Sequence, residues 1–189
     1  NLIIVPNKTL LAVIGMPGAG KTEVVGYLEG QGYKKVYFGN ATFDEIKRRG
    51  LPVNEANERQ AREDLRHEHG MAAFAILALP KIRETLKTED FVVLESLYSW
   101  EEYLVIKKEF GKDFFSLVVY TPPLLRYQRL AARPLRPLTL SEAQSRDLTQ
   151  IQNLNIAPPI VMADFLVDNT GTKKELFKGV DNVLTRLGR

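Results

Sequence analysis

The chain has 189 residues, 26 Lys and Arg against 23 Asp and Glu, and a net charge of +3. A chain of this length buries roughly 70% of its unfolded surface, and so mild a basic surplus reads as solubility, not as a nucleic-acid footprint. No cysteine is present, which excludes disulfides, thiol nucleophiles and cysteine-ligated zinc and fits a reducing, cytoplasmic setting; no run reaches the ~18 apolar residues of a membrane span.

Residues 1–8, NLIIVPNK, carry an apolar stretch broken by Pro6, Asn7 and Lys8. They read as a leader, not a signal peptide, and the opening without Met reads as a trimmed or tag-derived start. Residues 10–14, LLAVI, are wholly apolar, as in a central parallel strand. Residues 21–31 have a helical pattern that stops at Gly30 and Gly32. A second strand is expected at 36–38. Thr42 and Glu45 bracket a capping-box spacing, predicting a helix from there to about Gly50. Residues 54–69 are charged and helical, and 71–88 form a more apolar helix, kinked or restarted at Pro80.

Residues 91–94, FVVL, are the third predicted strand, and Ser99 with Glu102 marks a second capping box, for a helix reaching Phe110. A fourth strand is expected at 115–120. Thr121 would then cap a helix that has Pro in its first turn. Ser141 and Gln144 are placed to cap a helix to about Asn155. A fifth strand is expected at 165–167, and Thr172 with Glu175 would cap the final helix. This alternation predicts an α/β fold, a five-stranded parallel sheet with helices on both faces, in one domain over 1–189.

Residues 15–22, GMPGAGKT, match G-x-x-x-x-G-K-[ST] at every fixed position. They follow an apolar strand and open a helix, where the mechanism needs them. Glycines let the backbone curl and aim its N–H groups at one anion, and the helix N-terminus adds its positive end. The reading is a nucleotide site for ATP with Mg²⁺. Gly15, Pro17, Gly18, Ala19 and Gly20 form the cradle, Lys21 reaches the β- and γ-phosphates, Thr22 offers a hydroxyl to the metal, and Glu23 flanks them.

Arg126, Arg129 and Arg133 are spaced i, i+3, i+7, so a helix places them on one face. Residues 122–138 contain no acid, and like charges on one face call for an anion opposite. We read about 122–146 as an arginine-rich lid that neutralises phosphoryl charge and excludes water, with Arg146 on the returning helix beside Asp147. Glu95 ends the third strand and is expected to orient the metal or take a proton. Glu101, Glu102, Asp44 and Glu45 read as helix caps. His67 and His69 flank Glu68, on different sides of a helix, and read as no metal site. Tyr98 is a candidate lining residue for an acceptor pocket, and Trp100 is better read as packing.

Together these residues resemble the small P-loop kinases, most of all the nucleoside monophosphate kinase and dephospho-CoA kinase-like group, including adenylate-kinase-like archaeal-type relatives. The resemblance spans about residues 9–187. It rests on the glycine loop, on RLAAR at 129–133, on Arg146-Asp147, and on ADFLVDNTGT at 163–172, similar to AD-x-x-I-x-N-x-G. It implies that Arg129 stacks on adenine, that Arg133 meets phosphates, and that Asn169 and Gly171 lie near the base. Three positions depart from the family pattern. Asn40 stands where Asp is usual, Phe43 stands where an arginine holds the acceptor phosphate, and Tyr98 replaces a second arginine in Glu95-Ser96-Leu97-Tyr98-Ser99. Arg48, Arg59 and Arg62 are candidates to compensate. The stretch at 94–99 is also similar to the ERS region of deoxynucleoside kinases, which implies a hydroxyl acceptor.

The expectation is an ATP-dependent phosphotransferase with catalytic Lys21, Arg129, Arg133 and Glu95, metal ligands Thr22 and Glu95, and an acceptor region at about 40–88. Its partners are ATP and a small-molecule acceptor, with neither membrane nor nucleic acid. Two alternatives stand beside it: a nucleotide-binding regulatory protein with a lost or altered acceptor site, and an RNA-end kinase or nucleic-acid-linked ATPase.

Overall fold

The computed structural model describes residues 8–189, and all of the expected N-terminal leader but Lys8 lies outside them. The elements run in the order β1 (Thr9–Ile14), α1 (Lys21–Gly30), β2 (Lys34–Tyr37), α2 (Asn40–Arg48), α3 (Glu55–His69), α4 (Ala73–Thr85), β3 (Phe91–Glu95), α5 (Trp100–Phe110), a 3-10 turn (Gly111–Asp113), β4 (Phe114–Tyr120), α6 (Pro123–Ala131), α7 (Leu140–Gln152), α8 (Ala157–Val161), β5 (Phe165–Asp168) and α9 (Lys173–Arg186). The five strands form one parallel sheet in the order β2-β3-β1-β4-β5.

Strand β1 lies at the centre, and all six of its residues are buried. Its side chains alternate between two cores, as the two-residue period of a strand requires. Leu10, Ala12 and Ile14 face α3, α4 and α5. Leu11 and Val13 face α1 and α9. Helices therefore cover both faces, which is why the strand is apolar throughout. The strand order reverses beside β1, so a crevice opens at the carboxyl ends of the strands. The loops after β1, β3, β4 and β5 all run into it. Asp164 fixes the register at the far end, where its carboxylate accepts from Ser116 N at 2.8 Å.

The helix starts show where local signals were overridden. The expected boxes at Ser99–Glu102 and Thr172–Glu175 are both formed. Glu102 alone of the Glu101-Glu102 pair does the capping. Thr42 caps nothing: α2 starts from Gly39 directly after β2, which puts Thr42 inside the helix and buries it. The cap of α7 is Thr139 with Glu142, two residues before Ser141; Glu142 is charged, and an anion suits a helix start better than Gln144. Pro122, not Thr121, occupies the N-cap of α6. Pro80 lies within a helix that continues to Thr85. The short α8 was not expected.

Glu102 is 1% exposed. Its carboxylate accepts from the backbone N–H groups of Tyr98 (2.7 Å) and Ser99 (3.1 Å). Burial nevertheless pushes its carboxyl up to about 7 from the usual 4.5. The native state therefore holds this proton more tightly than the unfolded chain does. The contribution is present at low pH and is lost as pH rises through the interval from 4.5 to 7. Thermal melts at pH 5 and pH 8 test this. The stability difference between the wild type and Glu102→Gln should move against the wild type at pH 8, by on the order of 2–3 kcal/mol.

Candidate functional site

The loop between β1 and α1 curls through three left-handed glycines, Gly15 (φ 145°), Gly18 (φ 79°) and Gly20 (φ 102°). All three also lack room for a side chain: a Cβ on Gly18 would lie 2.9 Å from the Arg126 carbonyl oxygen. A Cβ on Gly15 would lie 2.6 Å from the Val119 carbonyl oxygen, and one on Gly20 would collide with the Asn169 amide. The loop's carbonyls are pinned outward. Pro17 O accepts from Arg126 Nη1 at 3.0 Å. Ala19 O accepts from Asn169 Nδ2 at 2.8 Å and Thr121 Oγ1 at 3.1 Å. Lys21 Nζ donates to Gly15 O (2.7 Å) and Met16 O (3.0 Å). The N–H groups of Gly18, Gly20 and Lys21 donate to no protein carbonyl among the described residues, so the cradle keeps its donors for an anion.

A cavity of about 690 Å³ opens over this loop. Pro17, Gly18, Gly20, Lys21, Thr22 and Glu23 line it from below, and Arg129, Arg133 and Arg146 from the lid side; Asn169 and Gly171 close the edge after β5. Burial pulls the Lys21 ammonium down to about 8 from 10.5, and Arg146, Arg133 and Arg126 add repulsion that Glu95 partly offsets. Such a cluster is built to take up polyanionic charge. Arg129 is held in place by Thr121 Oγ1 (3.2 Å) and the Asn169 carbonyl (2.8 Å).

Arg126 corrects the expectation of three arginines on one phosphate-facing row. It is 4% exposed and forms a bidentate pair with Asp147, at 2.9 and 2.6 Å. The reason is tertiary: the returning helix α7 carries Asp147 under the loop, so Arg126 finds its anion within the protein. Tyr127 Oη also donates to Asp147, at 2.9 Å. Arg146, one residue earlier on α7, lines the cavity.

The two metal candidates, Thr22 and Glu95, lie after β1 and at the end of β3. Thr22 lines the cavity, while Glu95 is ion-paired with Lys35 at 2.9 Å on the α1 side of β3. Among the described residues no group of three or more His, Cys, Asp or Glu forms a metal cluster, and His67 and His69 belong to none. The glycine cradle and the Thr22 hydroxyl fit a nucleotide with its magnesium; Glu95 can reach a metal's water shell only by sharing its carboxylate with Lys35.

A second cavity, of about 850 Å³, continues from the first. Tyr98, Arg133, Leu135, Arg146 and Gln150 line both. Phe43 lines the second, while Asn40 faces a separate surface groove. Trp100 stacks on Tyr103 at 5.1 Å, against the core. Of the compensating arginines, Arg62 lines the cavity but is paired with Glu58 (3.4 Å) and Glu55 (3.5 Å), Arg48 is paired with Glu45, and Arg59 is not among the lining residues. Arg66, which we had not singled out, lies in the wall. One turn beyond Arg62 on α3, it could have been found by its i, i+4 spacing. The lid reaches across: Arg136 pairs with Glu55 at 3.1 Å. Ser96 has a left-handed φ of 73°. A further apolar cavity lies behind the loop, between β4 and α7.

Because Arg126 ties the loop, the lid helix and α7 together, removing its counterion leaves a buried unpaired charge. Asp147→Ala should destabilise the fold by about 3–5 kcal/mol in denaturant unfolding, and Asp147→Asn, which keeps one acceptor, should lose less.

This chain matches the family model described as "AAA domain" over residues 11–148. It is 33% identical over 183 residues to a UPF0200 protein of Thermococcus gammatolerans, covering 95% of this chain and 96% of that one. Among solved structures, TT1252 from Thermus thermophilus superposes with a TM-score of 0.64 at 21% identity, covering 96% of this chain and 99% of that one. Shikimate kinase from Bacteroides thetaiotaomicron superposes with a TM-score of 0.59 at 15% identity, covering 96% and 99%. At these identities the structural likeness shows the fold, a P-loop NTPase fold of the kinase type. The chain belongs to the AAA-domain family, and within it to the UPF0200 proteins.

Proposed function

We propose that this protein is an ATP-dependent phosphotransferase that moves the γ-phosphoryl group to a small-molecule acceptor. The observation that carries the reading is the gathering of Lys21, Arg129, Arg133 and Arg146 over a glycine cradle whose Gly15, Met16, Pro17 and Ala19 carbonyls are each held by a side-chain donor. The cavity beyond it, entered past Tyr98 and Gln150, supports a separate acceptor chamber. The residues at 40–88 are its acceptor region, and 122–146 its lid, within one kinase-like domain.

In this reading an acceptor oxygen forms a bond to the γ-phosphorus while the bridging bond to the β-phosphate oxygen breaks, and ADP leaves. The cradle amides and Lys21 hold the β- and γ-phosphates. Arg133 and Arg146 oppose charge on the moving phosphoryl group, and Arg129 sits under the base, with Asn169 and Gly171 beside it. Thr22 and, through a water, Glu95 would hold magnesium, which supplies positive charge between the phosphates. The lid arm that ends in the Arg136–Glu55 pair keeps water from the transfer. A nucleotide or a dephospho-CoA-like molecule is the acceptor class that the sequence resemblance supports. The absence of cysteine supports a cytoplasmic setting, and among the described residues no helix is long and apolar enough to cross a membrane. The regulatory alternative draws on Phe43 and Tyr98, which leave two expected acceptor arginines unfilled.

Lys21→Ala should lower ATP turnover about 1,000-fold or more while the melting temperature stays near wild type; turnover at the wild-type rate would overturn the mechanism. The depressed Lys21 pKa gives an independent test. A free-state value of about 8 rises when phosphates arrive, so nucleotide binding at pH 8 should take up about half a proton, and at pH 6.5 almost none. Calorimetry in buffers of different ionisation enthalpy reads this directly, and Lys21→Met should abolish it.

A further inference from the structure

Two side-chain atoms in the wall of the second cavity are buried without any hydrogen-bond partner: Arg66 Nε and Gln150 Oε1. Each is costly to leave so, since a buried polar group without a partner loses its hydration for nothing. They are also of opposite type. Arg66, on α3, is a cation with donors only; Gln150, on α7, presents an acceptor oxygen, although its amide can turn to offer N–H instead. Gln150 is 8% exposed and lines both cavities, at the passage between them.

Arg66 is unlike the chamber's other α3 arginine. Arg62 is paired with Glu55 and Glu58. The Arg66 side chain forms no hydrogen bond or ion pair among the described residues. Its guanidinium lies over the Phe74 ring, 4.9 Å from the centroid. Glu102 and Glu63 attract it only at a distance, and burial disfavours its charge. A half-buried guanidinium backed by an aromatic ring, with its Nε buried and no carboxylate bonded to it, is set up for a two-point anion contact.

Resting on the phosphotransferase reading, we propose that the second cavity binds an acceptor carrying an oxyanion, a phosphate or a carboxylate, which Arg66 receives, and a hydrogen-bonding group that meets Gln150 at the passage. Arg66 thereby supplies the anion contact that Phe43 and Tyr98 cannot make. The acceptor is held by its anionic end on α3, with its reacting end toward Arg133, Arg146 and the phosphate loop. A neutral nucleoside or sugar lacks the group that this wall is missing.

The test separates this site from the donor site. Wild type, Arg66→Met, Arg66→Lys and Lys21→Ala are melted alone, with AMP-PNP and magnesium, and then with inorganic phosphate or acetate added at saturating AMP-PNP. ADP release is assayed with matched pairs, a nucleoside against its 5′-monophosphate and glucose against gluconate. The cooperative melt of each variant alone shows that it folds. We expect phosphate or acetate to raise the wild-type melting temperature further, Arg66→Lys to show a reduced shift, and Arg66→Met to show none while keeping its AMP-PNP shift. Phosphate-selective gain assigns a phosphomonoester acceptor, and acetate-selective gain a carboxylate. In turnover, the anionic member of one pair should exceed its neutral partner at least tenfold in kcat/KM, and Arg66→Met should erase that preference mainly through KM. No anion shift in the wild type, an equal shift in Arg66→Met, or preference for the neutral partner overturns the Arg66 site. Loss of the AMP-PNP shift with the anion shift kept overturns the donor reading instead.

Discussion

An anion cradle made from backbone has one structural demand. If its N–H groups face inward, its carbonyls face outward, and each buried carbonyl needs a donor. In this protein the donors come from far along the chain. Arg126 reaches Pro17, while Thr121 and Asn169 reach Ala19. Lys21 covers Gly15 and Met16 from within the loop. The loop's shape therefore depends on the ends of β4 and β5 being beside β1, and so on the sheet order. It also depends on α7, because Arg126 is held in its buried place by Asp147.

This arrangement sorts the basic residues into two kinds. Arg126 is neutralised by a protein carboxylate and acts as a brace. Arg129, Arg133 and Arg146 line the cavity, where the charges of Arg146 and Arg133 add to burial in lowering the proton affinity of Lys21. Packing cations this closely opposes folding of the empty protein through their mutual repulsion. In the proposed function, a bound polyphosphate would offset that repulsion.

Much of this was legible in the sequence. The glycine loop carries its own mechanism in eight residues, and the strands show as short apolar runs except β2 (KKVY), whose first two residues are exposed lysines. What could not be read was anything set by two distant segments meeting. Arg126 and Arg129 differ by three positions and look alike in sequence, yet only the fold brings Asp147 under one and the cavity over the other. Thr42 and Ser141 carry good capping patterns, but neighbouring residues won: Gly39 starts α2 directly from β2, and Thr139 has Glu142 in place. Arg66 sits among the charges at 54–69, which read only as a charged helix; the packing of Phe74 from α4 sets it apart. Gln150 gives no sequence signal at all, because a glutamine on a helix is ordinary until its surroundings are known.

The turn after β3 links the two chambers by backbone alone. Glu102 accepts from the N–H groups of Tyr98 and Ser99, and so fixes where the Tyr98 ring stands. That ring lies 5.8 Å from Lys21 Nζ and borders both cavities. Ser96 Oγ meets Tyr98 Oη at 3.1 Å, and Ser96 itself holds a left-handed backbone that a non-glycine residue adopts at a cost of about 1 kcal/mol. A buried carboxylate is a costly way to anchor a turn, and a strained serine is a costly way to shape one. Both shape a segment that borders the two cavities alike. Strain of this sort persists only where the surrounding structure over-determines it, and here the Glu102 cap supplies the excess constraint.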